Sequence, residues 1–132
     1  MSLEIRNWGE IEGAFRAATD ARAGAVLVFA SGLLFHRARR LAELVARSRL
    51  PAMYELRPYV EAGGLISYSA DLTDIWRRAA VFVDKILKGA KPADLPVEQP
   101  TKFELVINLG AAKSIGLTIP QSLLLRADGV IQ

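Results

Sequence analysis

Cysteine is absent from this sequence of 132 residues, and histidine occurs only once. Without cysteine, the chain has no disulfide, no thiolate nucleophile and no cysteine-based metal site. His36, the single histidine, lies in an arginine-rich helical turn, so a solvated side chain explains it better than a catalytic base does. No histidine or carboxylate spacing indicates a metal, and no motif calls for a cofactor.

Enzyme motifs are nearly absent as well. Gly63-Gly64 lacks the Lys-Ser/Thr pair of a phosphate-binding loop. Ser31-Gly32 follows an apolar segment as in a nucleophile elbow, but Phe29 stands where that motif has its first glycine. We therefore do not expect an enzyme, and a small hydrolase that uses Ser31 and His36 ranks last among the alternatives.

Long hydrophobic runs are missing too. The longest, residues 23–30, is far shorter than the roughly 20 residues that span a bilayer. The first residues have neither the basic nor the apolar region of a secretory signal, so we expect no signal peptide in this chain.

The composition is that of a globular domain, with 52% hydrophobic and 23% charged residues. The net charge of +3 is small, and the arginines are spread along the predicted helices. Because no basic patch forms, we expect no nucleic-acid partner.

Apolar strand patterns alternate with amphipathic helix patterns along the first ninety residues. The clearest helix covers residues 72–88, with Asp71 as its N-cap and Gly89 after its end. The continuously apolar residues 25–29 predict a strand buried on both faces. The alternation predicts an α/β fold: a Rossmann-like three-layer lobe with a mostly parallel sheet. The other predicted strands cover residues 3–7, 52–54 and 65–68, and the other helices begin near Glu10, Leu34 and Arg57.

Polar residues follow three of the predicted strands, at the edge where parallel α/β sheets bind ligands. Hydroxyls, backbone amides at helix starts and two tyrosines suit a small polar or zwitterionic molecule, because helix N-termini hold carboxylates and aromatic rings cover an apolar or cationic part. Ser31 and Asp71 could instead simply cap helices, and Tyr54 and Tyr68 could belong to the core. The predicted ligand-binding residues are Ser31, Gly32, Tyr54, Glu55, Tyr68, Ser69 and Asp71.

A late strand raises a separate question. Residues 90–101 form a connector stiffened by Pro92, Pro96 and Pro100, and residues 103–107 then predict another strand. Short helical patterns follow at 110–115 and 121–127. We expect this strand to be completed by polypeptide outside the first ninety residues.

Three segments carry a family resemblance: Lys-Ile-Leu-Lys-Gly (85–89), Pro-Ala-Asp-Leu-Pro-Val (92–97) and Pro-Thr-Lys-Phe-Glu-Leu-Val-Ile-Asn-Leu (100–109). With residues 61–128 around them, they resemble the C-terminal part of ABC-transporter substrate-binding proteins related to tryptophan/tyrosine uptake, which have the type I periplasmic-binding-protein fold. Two positions depart from the family pattern. Members tend to have Pro-Asp-like residues where this chain has Ala30-Ser31-Gly32, and a glycine where it has Ser69.

The resemblance implies a division of the chain into a Rossmann-like C-terminal lobe (3–89), a connector (90–101) and a crossing strand with short helices (102–132). It implies that one lobe of a two-lobe clamp is present and the N-terminal lobe is missing. The expected ligand is an amino acid, aromatic in some members, or a similar small solute. The expected partner is an ABC permease, and the expected location is periplasmic or extracytoplasmic.

A second function is open. If the late strand lacks a partner, two chains could exchange their C-terminal segments and form a domain-swapped homodimer that has no enzymatic role.

Overall fold

The computed structural model describes all 132 residues as a succession of short strands and helices. Single helical turns of the tighter 3₁₀ type occupy Trp8–Glu10 and Pro92–Asp94. The strands are β1 (Val26–Val28), β2 (Ala52–Tyr54), β3 (Ile66–Ala70), β4 (Phe103–Asn108) and β5 (Gly129–Ile131). The helices are α1 (Ile11–Asp20), α2 (Gly32–Phe35), α3 (Ala38–Ser48), α4 (Arg57–Glu61), α5 (Leu72–Leu87), α6 (Leu109–Ser114) and α7 (Gln121–Leu124).

All five strands form one sheet in the order β1-β2-β3-β4-β5. The first three strands are parallel, β4 is antiparallel to β3, and β5 is parallel to β4. The α/β fold with a mostly parallel sheet is therefore confirmed. The register pairs Val28 with Tyr54, Tyr54 with Ser67, and Ser67 with Val106, so these side chains stand on one face of the sheet.

The main core lies on that face. Val28 and Tyr54 pack there with Ile11 of α1, Leu41 of α3 and Tyr59 of α4 in one buried cluster. The amphipathic patterns of these helices explain the layer, because each turns its apolar stripe to the sheet and its charged side to water. Helices α2, α3 and α4 also connect β1 to β2 and β2 to β3, as parallel neighbours require.

Helix α5 agrees with its prediction. It begins after Asp71, whose side chain accepts hydrogen bonds from the backbone N–H groups of Thr73 and Asp74. It ends before Gly89, which has a positive φ of 102°. No helix of the structure has both the length and the apolar character needed to cross a membrane.

The late strand differs from expectation. β4 pairs with β3 through five residue positions, from Ile66–Ile107 to Ala70–Phe103, and with β5 on its other side. The expectation that polypeptide outside the first ninety residues completes this strand is therefore wrong on the side of β3, whereas β5 on the other side does lie outside those residues. β4 has no free edge, which removes the physical reason for exchanging it between two chains.

The N-terminal region differs as well. Residues 3–7 do not form the predicted strand. β1 lies at the edge of the sheet and is not buried on both faces, since Leu27 is 55% exposed. The predicted helix after Ser31 is split into α2 and α3, and β5 had no sequence prediction.

Candidate functional site

The loops that follow β1 and β2 are joined at the carboxyl edge of the sheet. One carboxylate oxygen of Glu55, Oε2, accepts a hydrogen bond of 2.8 Å from the backbone N–H of Ala30. The backbone N–H of Glu55 donates to the carbonyl oxygen of Val28 at 3.2 Å. Glu55 itself is exposed, and no hydrogen bond within the chain occupies its second carboxylate oxygen, Oε1.

Ser31 and Gly32 lie beside this junction. The Ser31 hydroxyl oxygen accepts a hydrogen bond of 3.3 Å from the backbone N–H of Leu34 and so caps α2. This is the helix-capping role that the sequence offered as an alternative to ligand binding. Both residues are exposed, and a β-carbon built on Gly32 would meet no atom within 4 Å. The edge is therefore open above Ser31 and Gly32.

The serine–histidine pair of the hydrolase alternative is not assembled. His36 ends the four-residue helix α2, and its ring lies edge-on to Phe35 at a centroid distance of 6.4 Å. The Ser31 hydroxyl is used for capping, and no hydrogen bond joins it to His36. The geometry gives the hydrolase alternative no support.

Tyr54 lies beneath the edge and not on it. Its side chain is 1% exposed and stacks on Tyr59 with ring centroids 5.3 Å apart. Gly64 packs against the same ring, because a β-carbon there would come within 2.6 Å of Tyr54 Cε2. Burial raises the pKa of the Tyr54 phenol, with a smaller contribution from Tyr59. Tyr54 therefore supports the site from the core.

Tyr59 was not among the site residues predicted from the sequence. Burial is the main cause that raises the pKa of its phenol, and the nearby Glu55 carboxylate adds to the effect. The Tyr59 ring is fully buried and packs on Tyr54 at the end of β2 and edge-on against Phe35 of α2, so it lies beneath the segments that follow β1 and β2. Its position in α4 resembled any apolar core residue, so no sequence signal distinguished it.

Tyr68 and Ser69 point to opposite faces of β3, since neighbouring side chains in a strand alternate. Ser69 is buried, and its hydroxyl has no hydrogen-bond partner within the chain. Tyr68 is half exposed and stacks on Phe103 of β4 with ring centroids 5.7 Å apart. The two neighbours therefore cannot contact one ligand from the same side of the sheet.

Asp71 lies in a second polar region, which we call the charged hollow. Its carboxylate oxygen Oδ2 lies 2.6 Å from Lys102 Nζ, and its backbone N–H donates to the carbonyl oxygen of Lys102 at 2.9 Å. The Lys102 ammonium is the main cause that lowers the pKa of Asp71, and Asp71 in turn raises the pKa of Lys102. The charged hollow has a volume of about 470 Å³, and its charged lining residues are Arg57, Glu61, Asp71, Arg77, Lys102 and Glu104.

Arg57 holds the opposite side of the charged hollow. Its guanidinium donates to Glu61 at 2.7 Å and to Glu104 at 3.1 Å. The hydrogen bond to Glu61 is the main cause that raises the pKa of Arg57, and the hydrogen bond to Glu104 adds to the effect. The three cations and three carboxylates of the hollow balance in formal charge. Such a lining suits a zwitterion better than an ion of one sign.

The seven predicted residues thus separate into four groups. Ser31, Gly32 and Glu55 share the open edge, and Asp71 belongs to the charged hollow. Tyr54 and Ser69 are buried beneath the surface, and Tyr68 lies on the other face of the sheet.

Comparison with protein-family models shows to which family the chain belongs. The family model described as ABC transporter substrate binding protein matches residues 1–131. The chain belongs to this family. No curated protein matches the sequence.

Solved structures share the fold of this ABC substrate-binding chain. The ABC domain of Streptococcus pneumonia in complex with L-Trp is 29% identical, with a TM-score of 0.87 over 99% of this chain and 44% of its own. A conserved domain protein from Vibrio cholerae is 25% identical, with a TM-score of 0.84 over 96% of this chain and 42% of its own.

A third structure is the ligand-free, open form of a substrate-binding protein with adhesive properties from Clostridium difficile. It is 16% identical, with a TM-score of 0.71 over all of this chain and 44% of its own. The ABC substrate-binding chain described here therefore spans less than half the length of the solved chains that it matches.

Proposed function

We propose that this chain is the solute-binding component, as a single lobe, of an ABC import system and binds an amino acid at the carboxyl edge of its parallel strands. The observation that carries the proposal is the junction of Glu55 with Ala30, which brings the loops after β1 and β2 to one exposed edge. Ligands of open α/β sheets bind at this edge. The family and the L-Trp in the Streptococcus structure favour an amino acid over other solutes.

Glu55 is the residue that we propose to recognise the amino group of the solute. Its Oε2 atom is held by the N–H of Ala30, which leaves Oε1 to accept hydrogen bonds from an ammonium group. Next to Glu55, the exposed Ser31 provides a hydroxyl group. The open space above Gly32 leaves room for the solute. Asp71 remains a proposed contact in the charged hollow and Tyr68 one on the other face of the sheet, while the buried Tyr54 and Ser69 support the site from below.

The proposal concerns binding and not catalysis. An amino acid that is bound on one side only keeps its other side in water, so the 132 residues alone should bind weakly. A second lobe closing over the edge would complete the enclosure by a hinge motion. We further propose that the complete protein works outside the cytoplasm and delivers its solute to an ABC permease.

Calorimetric titration with L-tryptophan, L-tyrosine and L-alanine tests the proposal. We expect weak binding by the 132 residues and at least about 100-fold tighter binding by a two-lobe protein that contains them. Tight binding by the 132 residues alone, or no binding by the two-lobe protein, would contradict the scheme.

A matched pair of variants assigns the site. In the two-lobe protein, Glu55→Gln should weaken binding by about tenfold or more, because a charged hydrogen bond to the ammonium group becomes a neutral one. Glu43→Gln is the control, since Glu43 is an exposed carboxylate on α3 outside the edge. Equal affinities of the two variants would remove Glu55 from the site.

A further inference from the structure

Contrary to the expectation that the arginines stay dispersed along the helices, four of them gather on one side of α3. Residues seven or eight positions apart lie on the same side of a helix, so Arg39 and Arg40 share a side with Arg47. Arg37 directly precedes the helix, and all four residues are exposed. Glu43 is the only carboxylate of α3, so the net charge of this side is as large as that of the whole chain, +3. We call these four residues the arginine face.

Most charges of the arginine face lack a partner within the chain. Arg39 lies 3.7 Å from Glu43, and the other three members form no salt bridge. The guanidinium groups of Arg37 and Arg40 lie over the ring of Trp8, 5.1 and 5.8 Å from its centroid. Trp8 is itself half-buried against the main core. Because the ring holds these two groups in place, they lose less conformational freedom when an anion binds.

We propose that the arginine face docks on an anionic membrane surface, where its guanidinium groups bind the phosphates of lipid headgroups. A guanidinium group suits a phosphate because its paired N–H donors match two phosphate oxygens. Arg39 and Arg47 are about two helical turns apart, so they can bind separate headgroups. Each arginine close to an anionic lipid surface strengthens binding roughly fivefold.

The arginine face provides charge and little else, which favours a membrane over other anionic partners. The centre of a protein interface needs apolar or aromatic side chains, whereas Leu41, Leu44 and Val45 of α3 are all buried in this chain's own core. A single-stranded nucleic acid needs aromatic rings on which its bases stack, and two guanidinium groups already lie over the Trp8 ring. A layer of phosphate groups requires neither feature.

Sedimentation of the 132-residue chain with lipid vesicles tests the proposal. We expect binding to vesicles of equal parts phosphatidylglycerol and phosphatidylcholine, and at least about tenfold weaker binding to phosphatidylcholine alone. Raising sodium chloride from about 0.05 M to about 0.5 M should weaken binding at least about tenfold, because salt screens the charges. Binding that is independent of lipid charge or of salt would overturn the proposal. Tighter binding to poly(U) RNA at equal phosphate concentration would overturn it in favour of a nucleic acid.

Two triple variants remove the same charge from different surfaces. They are Arg39→Gln, Arg40→Gln and Arg47→Gln on the arginine face, and Lys85→Gln, Lys88→Gln and Lys91→Gln as the control at exposed lysines. The first should weaken binding to the anionic vesicles at least about tenfold, and the second less than about threefold. Glu43→Gln should strengthen binding roughly three- to fivefold, because it removes the only carboxylate of α3. Equal losses in the two triple variants would show that only the net charge matters and would overturn the proposal.

The two tryptophans of the chain report which side meets the membrane. In Trp76→Phe, Trp8 is the only tryptophan, and its fluorescence emission should change when anionic vesicles are added. In Trp8→Phe, the emission of Trp76 on the exposed side of α5 should stay the same. The reverse result would mean that α5 enters the membrane and would overturn the proposal. Both variants keep every arginine, so they decide the matter even if a triple variant does not fold. No solute is present, so the outcome is independent of the proposed function.

Discussion

Lys102 forms an ion pair of 2.6 Å with Asp71, although the whole of α5 and the proline-rich connector lie between them in the chain. The pairing of Ala70 with Phe103 in the antiparallel register of β3 and β4 brings the two residues side by side. The backbone N–H of Asp71 bonds to the carbonyl of Lys102 in the same place. The ion pair therefore links the start of α5 to the start of β4.

The pH dependence of folding stability should reveal this ion pair. The pKa of Asp71 is lower in the folded chain than in the unfolded chain. The stability that Asp71 contributes to the folded state is therefore present above roughly pH 4, where the unfolded carboxyl is ionised, and is lost as the pH falls through the folded pKa. The raised pKa of Lys102 means that its contribution is lost only above roughly pH 10. Lys102→Met should lower the free energy of unfolding at pH 7, and the difference should shrink at pH 3. Urea titrations at both pH values measure it, with Lys91→Met as the control. A difference independent of pH would contradict the ion pair.

Gly64 should not tolerate a side chain. A β-carbon there would lie 2.6 Å from Tyr54 Cε2 and 2.7 Å from the carbonyl oxygen of Tyr59, and the latter belongs to the backbone and cannot rotate away. Gly64→Ala should lower the free energy of unfolding by about 1–3 kcal/mol, the usual cost of overpacking. Gly24→Ala is the matched control, because its β-carbon would meet nothing within 4 Å. Urea unfolding that gives both variants the same stability would show that the Tyr54 ring is not held against Gly64.

The Tyr54 hydroxyl should contribute little to stability at neutral pH. It is buried and has no hydrogen-bond partner within the chain. Tyr54→Phe removes this unsatisfied group and keeps the ring, so the free energy of unfolding should stay equal or rise by up to about 1 kcal/mol. A loss larger than about 1 kcal/mol in urea unfolding would mean that the hydroxyl is satisfied in solution.

At alkaline pH, the stabilities of the unmodified chain and of Tyr54→Phe should differ more clearly. The folded state keeps the Tyr54 proton because the pKa is raised, whereas the unfolded chain releases it above roughly pH 10. The stability of the unmodified chain should therefore fall faster above pH 10 than that of Tyr54→Phe. Circular dichroism during alkaline titration measures the two midpoints. Identical midpoints would contradict the raised pKa.

Arg57 should be coupled more strongly to Glu104 than to Glu61. The Glu104 side chain is 16% exposed and that of Glu61 is 50% exposed, so water screens the second pair more. Double-mutant cycles with Arg57→Met, Glu104→Gln and Glu61→Gln should give coupling energies of about 1 kcal/mol for Glu104 and less than about 0.5 kcal/mol for Glu61. The reverse order would indicate that Arg57 turns away from β4 in solution.

The amino-acid sequence by itself determined most of the local structure and the fold class. The apolar stripe of α5, its Asp71 cap and Gly89 are signals that act within a few residues, so they could be interpreted without tertiary contacts. The same holds for β2 and for the alternation of strands and helices that predicts a parallel sheet. The sheet edge at which Ser31 and Glu55 both lie followed from that topology.

Only the tertiary structure decided which side chains share a surface. Tyr54 and Tyr68 have similar strand sequences, yet one is buried and the other half exposed, because helices cover the face of the sheet to which Tyr54 points. Lys102 reaches Asp71 only through the antiparallel register of β4, and no local pattern encodes that register. The open edge of β1 is likewise invisible in its apolar sequence, since a strand pattern does not state how many neighbours the strand has.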